Sequence, residues 1–283
     1  MFRSLSALLA VCAFFAPLNA LAAQPQAVIK LEPHRTRWAL QAQVNGQTRK
    51  YLLDTAGGLT LISKAAAQAG GCQPWGQLTG HNMFGERLDT PRCEGVTFAI
   101  DGKPYAPPTT GLIDMEKLNP ADAGVDGIVS LDLFEDRAIT LDLAAGKLIV
   151  ESPESLAERT RGMTALPTRL SREVQGRALS VFIAVPTAKG LIWLELDSGN
   201  GGTVLISKHA APLVGLDPAA PGKQVLDFQL APGVRLKTDS AFTPDMIMDG
   251  NIGMPFLRHW LVTLDLKAGK AWLAPNPADP PPA

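Results

Sequence analysis

The sequence predicts an all-β protein, mainly β with a few short helices, whose chain is duplicated into two lobes. Short alternating apolar runs are separated by turn residues, as in Trp38–Val44 followed by Asn45-Gly46. The second half then repeats the first in the same order. The clearest repeats are Leu61-Ile62-Ser63-Lys64 with Leu205-Ile206-Ser207-Lys208, and Thr140-Leu141-Asp142-Leu143 with Thr263-Leu264-Asp265-Leu266.

Length and composition limit the functional classes. A chain of 283 residues with 46% hydrophobic residues is long enough for two cored units of about 100 to 150 residues each. The formal net charge of -1 provides no basic surface for nucleic acid, so no nucleic-acid partner is expected. No stretch beyond the N-terminal region approaches about 18 continuous apolar residues, so we expect no integral membrane span in the mature chain.

The N-terminal region has the pattern of a secretory signal. Arg3 precedes an apolar run from Leu5 to Phe15, and small residues follow at Ala20–Ala23. Cys12 comes too early for a lipoprotein signal, so we expect a periplasmic or secreted protein. The predicted organisation is a signal peptide at 1–23, a first lobe at 24–152, a linker at 153–175, a second lobe at 176–274 and a flexible proline-rich tail at 275–283.

Two cysteines, Cys72 and Cys93, remain after removal of the signal. In an oxidising compartment a disulfide between them would close a loop of roughly 20 residues and stabilise the fold by about 3 kcal/mol. A reactive thiol pair is the alternative, although the close Cys-x-x-Cys spacing is absent. We therefore predict a structural disulfide.

Two stretches, Leu52–Gly58 and Leu194–Gly202, contain the candidate site. In each, an apolar strand delivers an aspartate, Asp54 or Asp197, followed by a hydroxyl residue and small residues. A carboxylate at the exit of a buried strand is costly unless hydrogen bonds or a partner stabilise it. Two such aspartates at matching positions of a duplicated chain indicate a pair.

Each loop is followed later by a second element, Gly127–Ser130 in the first half and Asn251–Leu257 in the second. With Leu53-Asp54-Thr55-Ala56-Gly57 and Leu196-Asp197-Ser198-Gly199, this arrangement resembles the retropepsin-like and pepsin-like aspartic proteases, in the bacterial exported type with two lobes in one chain. The resemblance covers residues 28–274. It implies two acid-protease-like closed β lobes with Asp54 and Asp197 facing each other across a cleft.

The resemblance implies an aspartic-type endopeptidase whose substrate is a peptide or protein. Two carboxylates about 3 Å apart cannot both ionise, so they share a proton, and one acts as base toward a water while the other acts as acid toward the substrate carbonyl. Because water attacks directly, the mechanism requires no cofactor and no metal. We expect a monomer, although the lobes could instead pair between chains.

The resemblance also assigns supporting roles. Thr55 and Ser198 would brace the two loops, and Gly199 would allow their close approach and support the carboxylate with its amide. Ala56 and Gly57 are the remaining loop-support residues of the first loop. Ala56 departs from the family glycine, and Ser130 stands where the second half has Gly253. These departures support the alternative of a catalytically inactive protein that uses the same fold to bind peptides or cell-envelope partners.

One further segment, Asn82-Met83-Phe84-Gly85, offers an apolar pair with a glycine hinge. Met83, Phe84 and Gly85 are therefore a candidate flap over the cleft, or else a plain surface turn near the disulfide. Other chemistry has no motif in the sequence. The histidines lack metal-ligand spacing, and there is neither a Gly-x-Ser-x-Gly elbow nor a phosphate-binding glycine loop.

Overall fold

The computed structural model describes residues 23–281. The predicted signal peptide falls, apart from Ala23, outside these described residues. Within 23–281 no helix is long and apolar enough to cross a membrane. The described chain is mainly β, with few and short helices, and forms two lobes joined by a shared sheet. The predicted fold class is confirmed.

The first lobe contains a sheet of ten strands built around hairpins with the predicted turns. Asn45 and Gly46 both adopt positive φ, 48° and 75°, which is the conformation that a two-residue hairpin turn requires. The strands of this half are β1 (Ala27–Lys30), β2 (Glu32–His34), β3 (Arg37–Val44), β4 (Gln47–Leu53), β5 (Leu61–Ile62), β6 (Trp75–His81), β7 (Arg87–Cys93), β8 (Phe98–Ile100), β9 (Lys103–Tyr105), β10 (Thr110–Leu112), β11 (Gly127–Val129), β12 (Ala138–Asp142) and β13 (Lys147–Val150).

The second lobe contains a sheet of seven strands in the order β15-β16-β17-β21-β18-β20-β19. Its middle part repeats the first lobe, in which β4, β11 and β5 are neighbours in the same sense as β17, β21 and β18. The strands of this half are β14 (Thr164–Leu166), β15 (Thr168–Ser171), β16 (Ser180–Thr187), β17 (Gly190–Leu196), β18 (Val204–Ile206), β19 (Gln224–Ala231), β20 (Val234–Phe242), β21 (Gly250–Ile252), β22 (Trp260–Asp265) and β23 (Lys270–Pro275).

The helices are all short. The described chain has α1 (Lys64–Ala69), α2 (Met115–Leu118), α3 (Pro153–Arg159) and α4 (Met254–Leu257), with 3-10 turns at Pro120–Asp122, Leu131–Phe134 and Ala211–Val214. Ser63 starts α1 as an N-cap, its hydroxyl accepting the Ala66 amide. Ser152 and Ser155 start α3 as a reciprocal capping box.

A third sheet of six strands, β1-β13-β12-β22-β23-β14, joins the lobes. Its centre is the antiparallel pair β12 and β22, in which Thr140 lies opposite Thr263 and their hydroxyl oxygens are 2.9 Å apart. Both threonines are fully buried. The equivalent strands β12 and β22 therefore hydrogen-bond the lobes directly to each other.

The linker and tail make more contacts than their composition indicates. Within the predicted linker, β14 pairs with β23 in the joining sheet and β15 pairs with β16 in the second lobe. At the start of the predicted tail, Asn276 is fully buried and donates its side-chain amide to Asp142 Oδ1 at 2.8 Å. These residues fix the lobes on either side of the joining sheet.

The predicted disulfide is confirmed. Cys72 and Cys93 are bonded, with their Cα atoms 5.8 Å apart, and both are buried. Cys93 ends β7, and Cys72 precedes β6, so the bond closes the base of the β6–β7 hairpin.

Candidate functional site

The two aspartates leave equivalent strands. Asp54 follows β4, whose parallel neighbour is β11, and the Asp54 amide donates to the Val129 carbonyl at 3.0 Å. Asp197 follows β17, whose parallel neighbour is β21, and its amide donates to the Ile252 carbonyl at 2.9 Å. Each backbone hydrogen bond fixes the direction in which the chain leaves the sheet, and both aspartates thereby reach the junction of the lobes.

The side chains of Asp54 and Asp197 meet at this junction, within hydrogen-bonding contact of each other. Burial and, after it, the neighbouring charge of Asp197 together raise the pKa of Asp54 to about 7. Burial also raises the pKa of Asp197, while hydrogen bonds to its carboxylate oppose that shift. The pair therefore has the physical character of two carboxyls that share one proton.

Thr55 and Ser198 lock the two loops together. The Thr55 hydroxyl donates to the Leu196 carbonyl at 2.6 Å and accepts the Ser198 amide at 3.0 Å. Reciprocally, the Ser198 hydroxyl donates to the Leu53 carbonyl at 2.9 Å and accepts the Thr55 amide at 3.1 Å. Both side chains are fully buried, so these bonds are protected from water and set the spacing of the two aspartates.

The two carboxylates of the dyad accept different sets of hydrogen bonds. Asp54 Oδ1 accepts the Ala56 amide at 3.0 Å, and the Gly57 amide adds a further hydrogen bond. Asp197 Oδ1 accepts the amides of Gly199 at 2.7 Å and Asn200 at 3.0 Å, and its Oδ2 accepts the Asn251 side-chain amide at 2.8 Å. Because donors to the ionised form favour it, Asp197 is the better anion of the two.

The structure accommodates both departures from the glycine pattern. A Cβ at Gly199 would lie 2.5 Å from Asp54 Cγ, whereas Ala56 carries its methyl group and still donates its amide to Asp54. A Cβ at Gly253 would lie 2.5 Å from the carbonyl oxygens of Asn200 and Thr203. Ser130 occupies the equivalent place beside the first loop, which lacks a counterpart of Asn200. Its hydroxyl is buried and has no hydrogen-bond partner among residues 23–281.

The candidate flap is the tip of the β6–β7 hairpin. Asn82 closes the tip, its side-chain oxygen accepting the amides of Phe84 and Glu86, each at 3.0 Å. The tip reaches the second lobe, where the Ile247 amide donates to the Met83 carbonyl at 3.1 Å. A Cβ at Gly85 would lie 2.9 Å from Ile247 Cγ2, and Gly85 has a φ of 82°. The segment is therefore a hairpin that bridges the lobes.

Three side chains near the two aspartates are not among the site residues predicted from the sequence: Glu195, Asn200 and Asn251. Glu195 is only 4% exposed, and burial raises its pKa to about 8. The Asn251 side chain touches both Glu195 and Asp197. The sequence does carry a signal for Glu195, because a glutamate interrupts the apolar run Leu191–Leu196 two positions before the aspartate. Within 23–281 no group of three or more His, Cys, Asp or Glu side chains is placed to hold a metal ion.

These features define a class: a two-lobed, all-β protein with an aspartic-protease-like fold and a buried pair of carboxyls between its lobes. Solved structures share the fold at low identity. Basic 7S globulin from soybean matches with a TM-score of 0.56 and 10% identity over 88% of this chain and 95% of its own. The protein edgp matches with a TM-score of 0.57 and 11% identity over 91% and 97%. Conglutin gamma, a basic 7S globulin from lupine seeds, matches with a TM-score of 0.55 and 10% identity over 88% and 95%.

These comparisons correct the family expectation. No protein-family model matches the sequence, and no curated protein matches it at a significant level. The expectation that the chain is a retropepsin-like or pepsin-like protease of the bacterial exported type is wrong, because the structural matches are to globulins from soybean and lupine and to edgp. At 10% to 11% identity they establish the fold alone.

Proposed function

We propose that the protein binds extended peptides between its lobes and hydrolyses them with a water molecule activated by Asp54 and Asp197. The proposal rests on one observation, the contact between two buried carboxyls held by reciprocal Thr55 and Ser198 hydrogen bonds. It does not depend on family membership. Placing two carboxyls in contact at a lobe junction is costly for folding, so a use for the shared proton is the favoured explanation.

We assign the chemical roles from the hydrogen bonds that each carboxylate accepts. Asp197, with three N–H donors, is the ionised member and takes a proton from the attacking water. Asp54 holds the shared proton and donates it to the oxygen of the substrate carbonyl. The attack forms a tetrahedral diol, with Asp197 now protonated and Asp54 ionised. Asp197 then passes its proton to the amide nitrogen, the carbon–nitrogen bond breaks, and Asp54 takes a proton from a diol hydroxyl as the carboxylic acid and the amine leave. Neither a covalent intermediate nor a metal ion enters this sequence.

The pH dependence follows from the shared proton. Because burial and the charge of Asp197 raise the pKa of Asp54 to about 7, the dyad keeps its proton up to about that pH. Hydrolysis is therefore expected in acid to neutral solution and is lost as pH rises through about 7.

The test is cleavage of a random peptide library by residues 24–283, assayed by mass spectrometry from pH 3 to pH 8. The matched variants are Asp54→Asn and Asp197→Asn, which keep the shape of the side chain and remove the ionisable group. We expect each to lower the cleavage rate by at least about 1,000-fold. Cleavage that survives both substitutions would rule out the dyad.

A second candidate is a catalytically inactive protein that binds peptides or cell-envelope partners in the same place. The comparisons favour this candidate over hydrolysis, because none of the three similar structures described above carries a name that describes a peptidase. Absence of cleavage at every pH, together with saturable peptide binding by the wild-type protein in calorimetry, would support it. Cleavage dependent on both aspartates would exclude it.

The buried disulfide also supports a proposal for the cellular location. Disulfides persist in oxidising compartments, so we propose that the protein acts in the periplasm or outside the cell. Thiol labelling of Cys72 and Cys93 in the native host tests this. Unreactive cysteines are expected, and fully labelled cysteines would contradict the proposal.

A further inference from the structure

The backbone of the second loop fixes the orientation of the Asn200 side chain. Asn200 Oδ1 accepts the amides of Gly202 at 3.3 Å and Thr203 at 3.2 Å, while its Nδ2 donates to the Thr203 carbonyl at 3.2 Å. A backbone amide only donates and a backbone carbonyl only accepts, so the two ends of the Asn200 amide cannot be exchanged. The nitrogen end of Asn200 therefore faces Asn251.

This orientation determines that of Asn251 in turn. Asn200 Nδ2 donates to Asn251 Oδ1 at 2.8 Å, which leaves the Asn251 Nδ2 group facing two carboxyls. It donates to Asp197 Oδ2 at 2.8 Å and to Glu195 Oε2 at 3.2 Å. An amide nitrogen carries two hydrogens, so each carboxyl receives one of them. Asn251 is fully buried, and both of its hydrogens are thus used within the protein.

The first lobe has no such network. The residues at the same positions of its strands are Leu52 and Ile128, which pair in register as Glu195 and Asn251 do. Leu52 and Ile128 belong to a small apolar cluster with Ala39, Met115 and Val125. The fold is therefore built with an apolar pair at this place beside Asp54 and with a polar pair beside Asp197. A purely structural requirement of the strand does not account for the polar pair.

The surroundings of Glu195 favour its neutral form. It is 4% exposed, and burial followed by the charge of Asp197 raises its pKa to about 8. The charged groups that face it are Asp197 on its own strand and Asp54 across the lobe junction, while Ser180 and Asn251 face it as neutral hydrogen-bonding partners. A neutral Glu195 accepts from Asn251 without adding a second negative charge beside the dyad.

We propose that Glu195 is a positioning residue of the dyad that acts through Asn251. By accepting one amide hydrogen of Asn251, it aims the other at Asp197 Oδ2 and so makes Asp197, and not Asp54, the ionised member. The inference rests on the proposed hydrolytic function and names a residue that sets its pH range.

The test uses three variants chosen from the first lobe. Glu195→Leu copies Leu52 and removes the acceptor, and Glu195→Leu with Asn251→Ile rebuilds the whole apolar pair of Leu52 and Ile128. Glu195→Gln keeps an acceptor oxygen of the same shape and is the control. Because an ionised carboxylate that loses a donor becomes harder to form, the acid limb of the kcat/KM profile should move upward by roughly one pH unit in the first two variants. kcat should fall about tenfold with KM within about twofold.

The control variant distinguishes a role of Glu195 in positioning Asn251 from a role in packing. Glu195→Gln should keep the wild-type acid limb, and the double variant should recover stability relative to Glu195→Leu while keeping the shifted limb. An acid limb that stays in place in Glu195→Leu would overturn the proposal, since a purely structural role changes stability alone.

A measurement that does not require peptide cleavage distinguishes the positioning role of Glu195 from the proposed hydrolytic function. The infrared absorption of protonated carboxyls, taken as the difference between each protein and its Asp197→Asn counterpart, follows the ionisation of Asp197 directly. A shift of roughly one unit in Glu195→Leu, where Asn251 is still present, supports the positioning role even if no peptide is cleaved. An unchanged titration overturns it even if the wild-type protein is an active peptidase.

Discussion

The Asp54 loop and the Asp197 loop have the same connections to their sheets but different surroundings. Behind Asp54 lies an apolar pair, Leu52 and Ile128, and the carboxylate receives backbone donors. Behind Asp197 lies a polar network, and the extra residue Asn200 links its loop to Asn251. A duplicated structure has thus placed two identical acidic groups in unlike environments. In the proposed hydrolysis, that difference would let one act as an acid and the other as a base.

The difference in length between the two loops explains why position 253 requires glycine and position 130 does not. Gly253 is enclosed by the carbonyls of Asn200 and Thr203, so the longer second loop leaves no space for a side chain there. The first loop is shorter, and Ser130 fits. Ser130 and Ala56 therefore do not indicate that the first lobe is degenerate, since each departure occurs where its own lobe has the space.

The largest expected effect is the dependence of the free energy of unfolding on pH, to which one buried carboxyl in each lobe contributes. Burial raises the pKa of Asp132 in the first lobe to about 7, and that of Glu195 in the second to about 8, from ordinary values of 3.8 and 4.5. The folded protein then holds more protons than the unfolded chain between those values. The contribution of these two carboxyls to stability is therefore full below about pH 4 and falls as pH rises toward 8, by on the order of 4 kcal/mol for each carboxyl.

Urea unfolding at intervals from pH 4 to pH 9 measures this slope. Asp132→Asn should flatten the fall up to about pH 7, and Glu195→Gln should flatten it up to about pH 8. Curves for the variants that run parallel to the wild-type curve would show that these carboxyls do not hold their protons in the folded state.

The next effect is confined to the first lobe, since both cysteines of the disulfide lie there. Replacing Cys72 and Cys93 together by serine opens a loop with a sequence separation of 21 residues and should lower the free energy of unfolding by about 3 kcal/mol. Unfolding of the wild-type protein with and without a reducing agent is the control. A double variant as stable as the oxidised protein would contradict the expectation.

A smaller effect compares the equivalent positions Gly199 and Ala56. Gly199→Ala places a methyl group 2.5 Å from Asp54 Cγ, so the carboxyls must separate. We expect kcat/KM to fall about 100-fold, which corresponds to about 2.7 kcal/mol. The matched change Ala56→Gly should leave the rate within about threefold of wild type. Equal losses in the two variants would mean that the dyad is symmetric after all.

The smallest effect compares the positions after β11 and β21. Gly253→Ser forces a Cβ against two backbone carbonyls and should cost about 2 kcal/mol of stability. Ser130→Gly removes a buried hydroxyl that has no hydrogen-bond partner in the described part of the chain, so it should change stability by less than about 1 kcal/mol. Chemical denaturation of both variants decides this, and a Gly253→Ser protein of wild-type stability would remove the steric argument.

Sequence patterns predicted what depends on neighbours along the chain. The β3–β4 hairpin follows from alternation and Asn45-Gly46, and the disulfide follows from the two cysteines that lie beyond the predicted signal peptide. The two aspartates could be chosen because each ends an apolar strand of a repeated unit. The Glu195–Asn251 contact could not be predicted, because it joins strands that are adjacent only in the folded sheet.

The pairing of β14 with β23 could not be predicted for the same reason, since a strand of three residues does not specify which strand it pairs with. The family expectation failed for another reason. A short aspartate loop specifies a local geometry, and the fold that contains it is shared here at 10% to 11% identity with proteins that bear other names.

The pairing of Thr140 with Thr263 has a consequence for how this architecture can assemble. These threonines are duplicates of each other, so a local two-fold axis passes between β12 and β22, and the interface is isologous. Such a surface is complementary to itself. A polypeptide carrying a single lobe would have the means to dimerise through that strand and to bring its own aspartate against that of a second copy. When both copies lie in one chain, their sequences can differ at equivalent positions. This is why the first lobe can have Leu52 where the second has Glu195.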